Sequence, residues 1–400
     1  MNAVLSNPNH PEYGQVTIPL PIPDEEYGHC IELLEQLEIG HATERDCRVD
    51  EITGGYATLV GLIGSVINLD ELDFLARSID RYWGNESAKF EAMAYKLGIG
   101  DIEGLINLSF GCEQATIITD FSDLNRAGKD HYMDTHGCGA PVDVLEHLNG
   151  EKLIRDLIDT GTGSVTPYGV IFDNGMRLER EYTGQNFPVY YDRAYSMEME
   201  LAPPPSAPEE ALPMTLLLPM PEKRLERLLE RGGYHTPEDV RISTWRSELP
   251  EQINDCLGIP HVGLTELNRM YQAAEKLKRP DLDRLAAAVL MAKPEYAMQV
   301  RHLAENLELF DFIPNIKTPE ELGKFMIQKS GHFEYDPNLD GFYDYAKYGE
   351  QRVREQAGEF NERGYIGYTG VLSLDELMME DPAEQYQKEQ EEQWIRGGMT

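Results

Sequence analysis

The chain has 400 residues, with 71 Asp or Glu against 35 Lys or Arg, a formal charge of −36. So large an anion opposes direct binding to nucleic acid, whose phosphates must be met by Lys or Arg, and opposes docking on anionic lipid. Apolar residues at 41% with 9% aromatics argue against a disordered chain, and no run of 18 apolar residues offers a transmembrane helix.

In chain order, residues 1–13 read as an N-terminal extension. They have neither the basic nor the apolar region of a signal peptide. Five scattered cysteines, Cys30, Cys47, Cys112, Cys138 and Cys256, suit reduced thiols in a cytoplasmic protein better than a disulfide framework. Strands are expected near 15–20, 47–52, 116–120 and 165–172, and helices near 24–38, 69–83, 86–97, 122–133 and 142–158. Asn68 with Glu71 fits a capping-box start for the 69–83 helix.

Residues 201–213 read LAPPPSAPEEALP, five of them Pro, and mark a semi-rigid linker. Beyond it, strands are expected near 214–218, 240–244 and 364–369. Helices are expected near 222–232, 264–278, 281–292, 295–308 and 319–329. A short apolar turn at 374–378 then opens an acidic tail, 373–400, with eight acids and two bases. The fold class is α+β. The domains are an acidic one over 14–200 and a second, related one over 214–372.

The relation rests on repeated patterns. VTIPLPIP at 16–23 parallels MTLLLPMP at 214–221. The stripe Leu69, Leu72, Leu75, Ala76, Ile79, Tyr82 recurs at one constant offset as Leu264, Leu267, Met270, Tyr271, Ala274, Leu277. The same offset carries Gly128-Lys129 onto Gly323-Lys324, where Thr318, Pro319 and Glu321 make a well-formed helix start. An internal duplication is expected, in an elongated, acidic molecule.

Catalytic and metal signals are weak. Asp159-Thr160-Gly161 resembles the turn of aspartic proteases, but that chemistry needs two such carboxylates, and the tripeptide reads as a helix exit. Asp336 to Gly341 opens like a calcium loop, yet Lys347 stands where a bidentate Glu belongs, so an Asx-rich turn is expected. No Cys-x-x-Cys, phosphate loop or Gly-x-Ser-x-Gly occurs. We expect no enzyme activity, no cofactor and no metal.

Charge is then the informative feature. Residues 1–200 carry 35 acids against 13 bases, and 201–400 carry 36 against 22. Asp70, Asp73 and Asp80 flank the first apolar stripe, followed by Glu86, Glu91, Asp101, Glu103, Glu113, Asp120, Asp123, Asp130 and Asp134. These twelve are expected to form an acidic protein-binding surface. Solubility needs only about 2–8 net charges on a small domain. Thirty-six charges match roughly 60 Å of duplex DNA, about 18 base pairs. A cationic DNA-binding groove is the partner such a surface would suit.

Residues about 14–200 resemble the ArdA antirestriction family of conjugative elements. The resemblance is carried by Ile67-Asn-Leu-Asp-Glu-Leu-Asp-Phe-Leu-Ala76, by 86–94, by 106–120 and by Thr166-Pro-Tyr-Gly-Val-Ile-Phe-Asp-Asn-Gly175. In the long ArdA-like proteins of gut Firmicutes it continues through Met291-Ala-Lys-Pro294 and His302-Leu-Ala-Glu-Asn-Leu307. The family implies a dimeric mimic of duplex DNA that blocks the DNA cleft of Type I restriction-modification enzymes. It brings no catalytic residues. The alternative is an inhibitor or adaptor for another defence or conjugation protein.

Overall fold

The structure, a computed structural model, describes residues 1–136, 140–191, 195–208, 211–236, 239–259, 263–331 and 334–379. The chain forms two compact units. The first comprises Met1–Ala194, Pro204–Glu210 and Pro221–Thr236; the second comprises Tyr195–Pro203, Ala211–Met220 and Pro237–Thr400. The class is mixed α+β, as expected.

The first unit contains strands β1 (Asn2–Ser6), β2 (Gln15–Pro19), β3 (Cys47–Thr53), β4 (Val66–Ile67), β5 (Thr116–Ile118), β6 (Ser164–Thr166) and β7 (Gly169–Phe172). Its helices are α1 (Tyr27–Glu35), α2 (Ala57–Val60), α3 (Leu69–Asp80), α4 (Glu86–Leu97), α5 (Ile102–Ser109), α6 (Leu124–Thr135), α7 (Val142–His147), α8 (Gly150–Thr160) and α9 (Glu222–Arg231). Two antiparallel sheets have the orders β2-β1-β3-β4 and β5-β7-β6. The stripe Leu69, Leu72, Leu75, Ala76 and Ile79 sits in the core with Leu5, Ile18, Val49, Phe90 and Leu105. The Asn68 side chain caps α3 by accepting from the Glu71 amide at 3.2 Å.

The second unit contains β8 (Met197–Leu201), β9 (Met214–Leu218), β10 (Ile242–Ser247), β11 (Phe310–Pro314), β12 (Glu359–Phe360) and β13 (Gly364–Tyr368). Its helices are α10 (Glu251–Asp255), α11 (Leu264–Glu275), α12 (Arg279–Ala292), α13 (Ala297–Glu305), α14 (Pro319–Gln328), α15 (Tyr345–Glu355) and α16 (Leu374–Met378). Its sheets have the orders β10-β8-β9 and β11-β13-β12.

The second set repeats the first almost element for element. α3 starts at Leu69 and α11 at Leu264, the offset of the apolar stripe, and the two helices have equal length. The same offset relates the starts of β1 and β8, α5 and α13, α6 and α14, α8 and α15, and β7 and β13. The sheet orders match strand for strand, apart from β4. Each set also places a polar side chain of its striped helix on the segment after its first two paired strands. Asp73 accepts from the Ile22 amide at 2.6 Å, and Asn268 from the Met220 amide at 2.9 Å. The paired Gly-Lys motifs mark a close helix crossing in each set. A methyl on Gly128 would lie 1.8 Å from the Gly150 carbonyl oxygen, and one on Gly323 would lie 2.0 Å from that of Tyr345.

Several expectations need correction. Residues 1–13 are no extension, because β1 is a central strand with Ala3 and Leu5 fully buried. The 201–213 linker is not a clean boundary. Leu201 ends β8, and α9, expected to open the second domain, belongs to the first unit. The single helix expected over 142–158 breaks at Leu148 into α7 and α8, because Asn149 caps a new helix by accepting from the Lys152 amide at 3.0 Å. The strand expected over 165–172 is a hairpin, β6 with β7. β8, β11 and α15 have no counterpart among the expected elements. The 373–400 tail opens with α16, and residues beyond 379 lie outside the described ones.

Candidate acidic interface

The structure divides the twelve predicted acids into two kinds. Asp70, Asp73 and Glu91 are only 7%, 4% and 5% exposed, so they form no surface. The correction has a physical cause: buried carboxylates persist only when paired or hydrogen-bonded, and each of these is. Glu91 accepts from the Thr58 amide at 3.1 Å, tying α4 to α2. Asp73 accepts from Arg77 Nε at 2.9 Å as well as from Ile22. Asp70 accepts from the Tyr27 hydroxyl at 2.9 Å, and from Arg227 Nε and Nη2 at 3.0 and 2.9 Å.

Asp134 is also largely withdrawn from solvent. It lies 2.6 Å from Lys89 Nζ, itself buried. Burial raises its pKa against the opposing pull of Lys89. Asp130 is half-buried on the same helix, accepts from Asn85 at 3.4 Å, and is raised by burial too.

The exposed remainder is smaller. Asp80, Asp101, Glu113, Asp120 and Asp123 are exposed, with Glu86 and Glu103 half-buried. Asp101 and Asp123 cap α5 and α6, accepting from the Gly104 and Arg126 amides at 2.8 and 3.0 Å. Asp120 accepts from Ser122 at 2.7 Å, a bond that lowers its pKa. Glu86 accepts from the Trp83 amide at 2.7 Å, and Glu103 meets Arg180 at 2.6 Å. Five of the seven are exposed, whereas Glu103 is partly screened by Arg180 and by Arg45 at 4.0 Å.

A second acidic feature is absent from the sequence reading. A cavity of about 450 Å³ lies between α1 and α9, its wall holding Glu35, Glu38, Glu226 and Glu230 against Lys223, Arg227 and His41. Glu222, Glu226 and Glu230 recur every fourth residue along one side of α9. That pattern is legible in the sequence. Its pairing with α1 is a tertiary fact, because the two helices lie far apart in the chain.

The catalytic and metal motifs resolve as structural devices. Thr160 ends α8 and Gly161 is its C-cap. Asp336 accepts from the Asn338 amide at 2.9 Å and starts a short 3-10 helix over Pro337–Phe342. Among the described residues, His41, Glu44 and Asp46 bring one ligand atom each within 4.8 Å of one another. There Asp46 already serves His41, accepting from its backbone amide at 2.9 Å and contacting Nδ1 at 2.7 Å, and this bond raises the imidazole pKa. Cys30, Cys47, Cys112 and Cys256 are free thiols, and burial pushes the last two up to about 11. Such thiols are poor nucleophiles at neutral pH. Cys138 lies outside the described residues. No described helix is long and apolar enough to cross a membrane.

No family model matches the chain. No curated protein matches it either.

Proposed function

We propose that this chain is an ArdA-like antirestriction protein, a non-enzymatic DNA mimic that occupies the DNA cleft of Type I restriction-modification enzymes. The observation that carries the reading is the formal charge of −36 on a folded chain. A fixed array of carboxylates accelerates encounter with a Lys/Arg-lined groove and excludes DNA by competition. The working surface is the exposed set Asp80, Asp101, Glu113, Asp120 and Asp123, supplemented by Glu86 and Glu103. Asp70, Asp73, Glu91 and Asp134 act only by holding the fold. The two halves are read as copies of one ancestral unit, and the resemblance further implies a homodimer.

The test is a displacement titration. A Type I methyltransferase complex is loaded with labelled duplex, and the protein is added at several salt concentrations. Stoichiometric displacement that weakens steeply with salt is expected. Amide replacement of the five exposed acids should weaken displacement at least tenfold and leave the circular dichroism spectrum unchanged. Undiminished displacement by that folded variant, or none by the parent at micromolar concentration, would overturn the reading. Sedimentation of the parent tests the dimer.

A further inference from the structure

Trp83, in the turn between α3 and α4, is 87% exposed, whereas Tyr27, Phe90 and Tyr182 of the same unit are buried. Its exposure is not that of a loose loop. The Trp83 amide donates to Glu86 Oε2 at 2.7 Å, and its carbonyl accepts from the Glu86 amide at 3.1 Å. Tyr82 before it packs against Tyr56 and Phe90, and Asn85 after it lies 3.4 Å from Asp130 of α6. A ring on so fixed a backbone needs little further ordering when a partner covers it. Left in water, its apolar surface contributes nothing to the core.

Carboxylates flank the ring at three residues on either side. Asp80 ends α3 and is exposed, and Glu86 opens α4 half-buried. Arg81 of the same turn is spent elsewhere, donating to the Tyr191 carbonyl. Another part of the unit shows what a ring and a carboxylate at this spacing hold. Tyr27 and Asp24 share the guanidinium of Arg224, which donates to Asp24 at 2.6 Å and lies 4.3 Å from the centre of the Tyr27 ring. At Trp83 the same spacing recurs with a carboxylate on each side, and among the described residues no cation lies over the ring. Guanidinium is planar and weakly hydrated, so it stacks on an aromatic face while forking onto a carboxylate; ammonium does neither as well.

We propose that Trp83, with Asp80 and Glu86, is an anchor site for an arginine side chain presented by a partner protein. This does not rest on the antirestriction reading and holds whatever the partner's activity.

The probe is acetyl-hexaarginine amide, with the hexalysine peptide as its control, titrated onto the full-length chain carrying isotope-labelled tryptophan. The indole N–H resonances of Trp245 and Trp394 report general attraction to an acidic chain, and Trp83→Phe assigns the remaining one. Hexaarginine should shift the Trp83 resonance at least about threefold more than either of the others, and at least about threefold more than hexalysine does at equal concentration. Asp80→Asn with Glu86→Gln should weaken the affinity read at Trp83 at least about threefold and leave the circular dichroism spectrum unchanged. If that double variant does not fold, Asp80→Asn alone should weaken it at least about twofold. A Trp83 resonance that hexaarginine moves no more than that of Trp245, or that hexalysine moves equally, overturns the proposal, as does unchanged affinity in a folded variant. A resonance that moves with the chain's own concentration would place a second copy on the ring and also overturn it.

Discussion

Replacing Arg227 with Ala removes two charge-assisted hydrogen bonds to Asp70 and one to the Gly40 carbonyl. Asp70, 7% exposed in the parent, then keeps only the Tyr27 hydroxyl as a partner. Bonds to charged groups are worth about 1.5–3 kcal/mol each, but they share one desolvation cost. Breaking a buried pair by removing one partner costs about 3–5 kcal/mol, and that range is the expected loss for the first unit. Burial disfavours the Arg227 charge, yet Asp70 more than restores it and raises its pKa, so the loss should not vary between pH 6 and 9. The assay is urea unfolding followed by hydrogen exchange across α3. A single bulk signal would mix two units and give no defined free energy. The double variant Asp70→Leu with Arg227→Leu removes both charges and should cost far less than the two single changes summed. A loss below about 1 kcal/mol for Arg227→Ala, or a double variant as costly as the sum, would refute the reasoning.

Other outcomes follow from the same geometry. Gly128→Ala should destabilise the first unit by at least about 1–3 kcal/mol, the range for overpacking, because backbone blocks its methyl; Gly323→Ala should do the same in the second, read by hydrogen exchange across α6 and α14 respectively. Asp130 has its folded pKa raised by burial, so the folded state binds its proton more tightly and stability falls as pH rises through that pKa. Asp130→Asn should therefore stabilise at pH 7, by less than about 1 kcal/mol for a half-exposed group, and the gain should vanish below the unfolded pKa of about 3.9. His41 has its pKa raised by the Asp46 bond, so its stabilisation is complete below about 6.5 and is lost as pH rises through the folded value. His41→Ala should thus cost measurable stability at pH 5.5 and almost none at pH 9, in paired urea melts.

Much of the architecture was legible locally. Apolar spacing placed α3 and α11 and fixed their buried side, since a 3.6-residue period needs no distant information. The Thr318 capping box located the start of α14 to the residue. The stripe and the Gly-Lys pairs recur at one offset in the sequence, and several elements start at that same offset. Short strands such as β8 and β11 escaped, because a run of only five residues is too short for its alternation to stand out from its neighbours.

The acidic surface was legible only in its total charge. Helix periodicity puts Asp70 and Asp73 opposite the leucine stripe and so predicts them exposed. That inference assumes a helix with one buried side. In the fold α3 has two, because α9, from a distant part of the chain, lays Arg224 and Arg227 over its acidic side. Net charge, caps and apolar stripes are sums or short-range patterns, and the sequence alone determined them. Which carboxylates face water depends on where the counter-charges fold back, and only the tertiary structure decided that.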